Sequence, residues 1–104
     1  MRERRVFARF PAKLPLMFLS PGRRNECPAE TVDVSANGIG FICDVELLPN
    51  TPLEMWLDIP GQHEPFYMRG EVVWSCPALR KTRHRVGVRL EKAEFTGLAP
   101  ILWR

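Results

Sequence analysis

Leu53-Glu-Met-Trp-Leu-Asp-Ile59 is the stretch whose reading decides the fold. Leu53, Met55, Leu57 and Ile59 alternate with Glu54, Trp56 and Asp58. Successive side chains of an extended chain point to opposite faces, so this period of two describes a strand with one buried face and one wet face. Pro60-Gly61 ends it with turn chemistry. Downstream, residues 66–75 form the longest strand candidate. Met68, Gly70, Val72 and Trp74 share one predicted face; Tyr67, Arg69, Glu71 and Val73 share the other. Past a polar loop, His84, Val86, Val88 and Leu90 alternate with Arg85, Gly87, Arg89 and Glu91.

Upstream, residues 12–20, 29–34 and 38–43 complete a set of six strands. Pro21-Gly22 and Ser35-Ala-Asn-Gly38 supply turns between them, and Leu47-Leu-Pro-Asn-Thr-Pro52 reads as a loop. Pro15 falls inside the first strand. Proline cannot donate to a ladder, so that strand is expected at a sheet edge or beside a bulge. Six short strands at close spacing predict a mainly β fold, a small antiparallel barrel or sandwich. Residues 92–103 predict one short helix with Phe95, Leu98 and Leu102 on a common face, against the opposition of Gly97 and Pro100.

The chain has 104 residues, enough for one domain with a single core. The first ten residues read as a flexible basic arm, and residues 11–104 as one domain. No apolar run approaches the roughly 20 residues that span a bilayer, and the start Met-Arg-Glu-Arg-Arg carries no apolar signal stretch. Cys27, Cys43 and Cys76 are odd in number, widely spaced and without a CxxC pair. They predict reduced thiols in a cytoplasm, with no metal and no disulfide framework. Net charge is only +3, yet it is strongly segregated. Residues 1–24 hold seven Lys/Arg and one acid, residues 25–79 one cation and nine acids, and residues 80–92 six cations and one acid. Such segregation suggests an anion site served by the basic segments.

Two patterns belong to no core element. Arg5-Val-Phe-Ala-Arg9, with Arg4 beside it, offers a cluster of guanidiniums; Asp33-Val-Ser35-Ala-Asn-Gly38 offers a carboxylate, a hydroxyl and a glycine. An RxxxR followed by DxSxxG, with 23 residues between them, resembles the PilZ domain, the bacterial receptor module for cyclic di-GMP. Gly-Glu-Val-Val at 70–73 and Arg-Val-Gly-Val at 85–88 add to the likeness, which extends over nearly the whole chain. The resemblance implies a six-stranded β-barrel with a helix after its last strand. It also implies non-covalent binding of cyclic di-GMP and no catalysis or cofactor. The signal would pass to a downstream protein of motility, pilus, exopolysaccharide or virulence machinery as the arm orders on the barrel.

The residue types suit that ligand. A guanidinium meets a phosphate, or the adjacent O6 and N7 acceptors of guanine, with two parallel hydrogen bonds. Arg5 and Arg9 are therefore the expected phosphate and guanine contacts, with Arg4 a third. Asp33 matches the guanine donor edge, and Ser35 adds a hydroxyl. Gly38 permits positive φ or a close backbone approach. Asp33 and Ser35 stand two apart, so they point to one side of an extended chain, toward the barrel mouth. A second reading keeps the fold and drops the nucleotide, leaving a protein-interaction adaptor. A basic OB-like nucleic-acid binder ranks lower, because most aromatics fall on strands rather than among the cations. His84 lies in the apolar phase of its strand, where packing outweighs catalysis, and Trp56 and Trp74 read as packing residues.

Overall fold

A computed structural model describes residues 10–80 and 82–91. The strands are β1 (Phe10–Pro11), β2 (Pro15–Leu19), β3 (Cys27–Ser35), β4 (Gly38–Cys43), β5 (Pro52–Leu57), β6 (Phe66–Pro77) and β7 (His84–Leu90). Every pairing is antiparallel, and the order β3-β2-β5-β6-β7-β4 closes on itself through β3–β4. The predicted small six-stranded antiparallel barrel is therefore the fold. The two-residue β1 bonds to β3 ahead of β2, so β1 and β2 are one interrupted strand. The predicted helix at 92–103 lies outside the described residues. Among the described residues no helix is long and apolar enough to cross a membrane.

Alternation builds the core. Leu53, Met55 and Leu57 of β5 point inward, as do Leu16 and Phe18 of β2, and all five are at most 2% exposed. Phe18 and Phe41 stack across the interior with centroids 5.4 Å apart. Met68, Val72, Val86, Val88 and Ile39 fill the rest of the barrel. Closed sheets leave no edges, so of the two settings expected for Pro15, an edge or a bulge, the edge is not realised: β2 is paired on both sides, by β3 and β5. The proline is accommodated as the first residue of its strand, beside the interruption. There the buried Thr31 bridges the gap. Its hydroxyl donates to the Ala12 carbonyl and accepts from the Leu14 N–H at 2.8 Å. Its own N–H donates to the Leu14 carbonyl at 2.9 Å. These bonds satisfy polar groups that the missing ladder would leave bare.

Two bulges interrupt the ladders, one between Thr31 and Asp33, the other between Val72 and Trp74. A bulge inserts one unpaired residue and re-aims the side chains beyond it. On β6 the consequence is direct. Met68 and Val72 point inward as predicted, but Trp74 is turned outward and is 39% exposed. Strict alternation had assigned all three to one face.

Candidate functional site on the outer wall

The Asp33-to-Gly38 motif forms the end of β3, a two-residue loop and the start of β4. Ser35 pairs with Gly38 across that loop. The Ser35 hydroxyl lies 3.1 Å from Asn37 Oδ1 and 3.3 Å from the Gly38 carbonyl, donating within its own turn. The Leu90 N–H donates to the Asn37 carbonyl at 2.9 Å and fastens the loop to the end of β7. Gly38 does not adopt positive φ; among the described residues only Gly22, Asn50 and Gly61 do. Its requirement is space. A Cβ at Gly38 would stand 2.9 Å from the Val88 carbonyl oxygen, which is backbone and cannot swing aside.

Register extends the motif across four strands. Asp33 pairs with Gly40, Gly40 with Gly87, and Gly87 with Trp74. The neighbouring row runs Ser35, Gly38, Arg89, Glu71. Three glycines fall in these two rows, and two of them, Gly40 and Gly87, are buried. The Trp74 indole fills the space over Gly87: a Cβ there would lie 2.4 Å from its Cε2 and Nε1. The ring thus packs directly against Gly87. Arg89 Nη2 donates to Glu71 Oε1 at 2.6 Å, a surface pair with both side chains partly exposed. A pair in that setting contributes at most about 1 kcal/mol, so Arg89 exchanges it readily for another anion.

Ser35, Gly38, Trp74, Gly87 and Arg89 line a shallow groove of about 270 Å³. Larger concavities, of about 350, 450 and 490 Å³, lie around Pro15–Met17 with Trp56, around Leu19–Arg23 and around Cys76–Arg85. Chemistry rather than volume distinguishes the smaller one, since it joins motif residues, an aromatic ring and a cation. It opens on the outer wall and not at the barrel mouth, because the interior is filled by Phe18, Phe41 and their neighbours. Asp33 is half-buried beside Pro11 of β1. Arg4, Arg5 and Arg9 lie outside the described residues.

Gly40, Gly87, Trp74 and Arg89 are additions to the expected set. Gly40 and Gly87 were visible only as strand glycines, which often mark a close approach of another group. Trp74 was hidden by the bulge, since Val72-Val73-Trp74 contains neither glycine nor proline to mark one.

The sequence matches the family model described as the PilZ domain over residues 3–98, and the chain belongs to that family. No curated protein matches it. Among solved structures it is similar to the Bacillus subtilis inhibitor of motility MotI/DgrA, with a TM-score of 0.76 and 14% identity over 99% of this chain. It spans about half of that protein, 51%. It is also similar to the PilZ domain of Escherichia coli YcgR with c-di-GMP, at TM-score 0.72 and 14% identity, covering 97% of this chain and 90% of that one. The K. pneumonia MrkH–c-di-GMP complex follows at TM-score 0.62 and 12% identity, covering 98% of this chain and 54% of that one. At these identities the likeness is one of fold.

Proposed function

We propose that this chain is a cyclic di-GMP receptor that holds the nucleotide on its outer wall, with residues 1–10 as a closing arm over a barrel domain of residues 11–104. The observation that carries this reading is the coincidence of an intact DxSxxG turn with an outward indole packed over Gly87. Family membership and c-di-GMP in the YcgR and MrkH structures support it.

In this reading Asp33 accepts from the N1–H and N2–H₂ edge of one guanine. A base lies against the exposed part of the Trp74 indole, which packs over Gly87. Ser35, Gly38 and Arg89 meet the ribose-phosphate. Arg4, Arg5 and Arg9 supply the remaining cations. Phe10 is in register with Val34, and Pro11 with Asp33. The arm therefore joins the barrel through β1, which pairs with the strand that carries Asp33. Fixing the arm costs about 1–2 kcal/mol per residue. Charge-assisted hydrogen bonds of about 1.5–3 kcal/mol each offset that cost, so several arginines must act together. The ordered arm presents a new surface to a downstream protein, and no catalytic step is involved.

Calorimetric titration of the full chain with cyclic di-GMP tests the reading. Saturable binding is expected, lost in Arg5→Ala, Arg9→Ala and Asp33→Ala with the barrel still folded. Wild-type affinity in all three variants would remove the site. No saturable binding to the unaltered chain would leave the nucleotide-independent adaptor.

A further inference from the structure

We infer that this chain forms a two-fold dimer in which the β6–β7 hairpin of each copy docks on an apolar stripe of the other. The inference does not rest on the nucleotide reading: neither the hairpin nor the stripe includes a residue of that site.

The hairpin between Pro77 and His84 is closed by Ala78 N–H to the Arg83 carbonyl and Arg83 N–H to the Arg80 carbonyl, both 2.9 Å. Leu79 at its tip is wholly exposed. Arg80, Arg83 and Arg85 surround it on a concave surface with Cys76 and Ile42. Arg83 makes an exposed pair with Asp44 at 3.3 Å. Arg80 and Arg85 have no ion-pair partner among the described residues.

The stripe is the complement. Pro28, Met17, Trp56 and Tyr67 are successive cross-strand partners on the outside of β3, β2, β5 and β6. Met17 is 36% and Tyr67 40% exposed, and the Trp56 and Tyr67 rings meet at 5.5 Å. Acids border it: Glu54, which accepts from the Tyr67 hydroxyl at 2.9 Å, and the exposed Glu30 and Asp58. The one cation opposite Glu54, Arg69, is engaged by Glu91 at 3.1 Å. Interface centres are rich in Trp, Tyr, Met and Arg. A leucine ringed by arginines fits an aromatic stripe ringed by carboxylates, with the guanidiniums over acids and ring faces.

One chain carries both halves of this contact, so a second copy complements both at once. Tyr67 and Pro77 are ten residues apart on β6, about 33 Å at 3.3 Å per residue. Two copies related by a two-fold axis across the middle of β6 would set each hairpin on the other's stripe. The pair is then closed, and making one contact makes the second intramolecular.

Sedimentation velocity of the full chain without nucleotide, over a dilution series, tests this. A monomer–dimer equilibrium is expected that weakens between 0.1 M and 1 M salt, as the screening length falls from about 10 Å to about 3 Å. Leu79→Glu, at a fully exposed tip, should raise the dimer Kd by about tenfold or more with an unchanged circular dichroism spectrum. Arg80→Glu with Arg85→Glu should do the same, and adding Glu54→Lys with Asp58→Lys should restore association. A monomer at every concentration would overturn the inference. So would a dimer indifferent to Leu79→Glu, or masses that grow past the dimer. Monomer binding to anionic vesicles, lost in Leu79→Glu, would assign the hairpin to a lipid surface instead.

Discussion

Gly87→Ala isolates the part that the glycine under Trp74 plays. A Cβ on residue 87 would lie 2.4 Å from Trp74 Cε2 and Nε1 and 2.8 Å from Cζ2. Carbon atoms rest at about 3.5–4.0 Å, so the indole must retreat by about 1 Å or more. The ring belongs to an outward side chain, so it swings away and the barrel survives. The displacement drives χ angles off their wells at about 0.5–1.5 kcal/mol. Stacking of a base on an aromatic ring is worth about 1–3 kcal/mol. If the retreat forfeits it, cyclic di-GMP affinity falls about 5- to 150-fold at 1.4 kcal/mol per decade. Calorimetric titration reads the affinity, and tryptophan emission reads the ring. Trp74→Ala should lose a similar amount. The double variant should bind no worse than Trp74→Ala, because both changes remove one contact. Wild-type affinity in Gly87→Ala, beside a clear loss in Trp74→Ala, would refute the idea that the ring must rest on the glycine.

Other expectations concern the barrel. Phe41→Ala removes a fully buried ring stacked on Phe18 and should cost about 3–5 kcal/mol in chemical denaturation; a loss under 1 kcal/mol would mean that the core collapses around the gap. Thr31→Val keeps the shape of the side chain but strands the Leu14 N–H, for a loss of about 1–3 kcal/mol in the same assay. Burial pushes the Cys43 thiol up, partly opposed by a backbone hydrogen bond with Val45. Below about pH 8.5, the ordinary thiol value, the group is neutral folded or unfolded. Above it the unfolded chain ionises first, so stability falls as pH rises through the raised folded value. Cys43→Ala should flatten that part of the stability profile, and an equal slope in both proteins would show that the thiol does not contribute.

Much of the barrel was legible because its signal is local. Alternation at Leu53–Ile59, and the proline and glycine turns, come from single residues and their immediate neighbours, and the strands followed them. Closure was not local. Pro15 spoke for an edge or a bulge; a closed barrel has no edge, and Thr31, sixteen residues away, supplies the bonds that make the interruption tolerable. Of the site, the turn at Asp33 to Gly38 stood out by its unusual chemistry. Its neighbours on the wall did not. Gly40, Gly87 and Trp74 meet Asp33 only through register, and register depends on two bulges that no glycine or proline announces. The reason for Gly38 also differed. The permissive backbone of glycine was one option, but it is the Val88 carbonyl at 2.9 Å from a would-be Cβ that excludes any larger residue.

Closure of the sheet also restricts how a message can leave the molecule. Each of the six wall strands is bonded on both sides, and a slip of one residue would turn Leu, Phe and Met side chains into water. In the proposed receptor, a bound effector would have little mechanical purchase on the barrel, which acts as an anvil. Its information would be written on the exterior, as a change in what a passing protein touches, with the shape underneath unaltered.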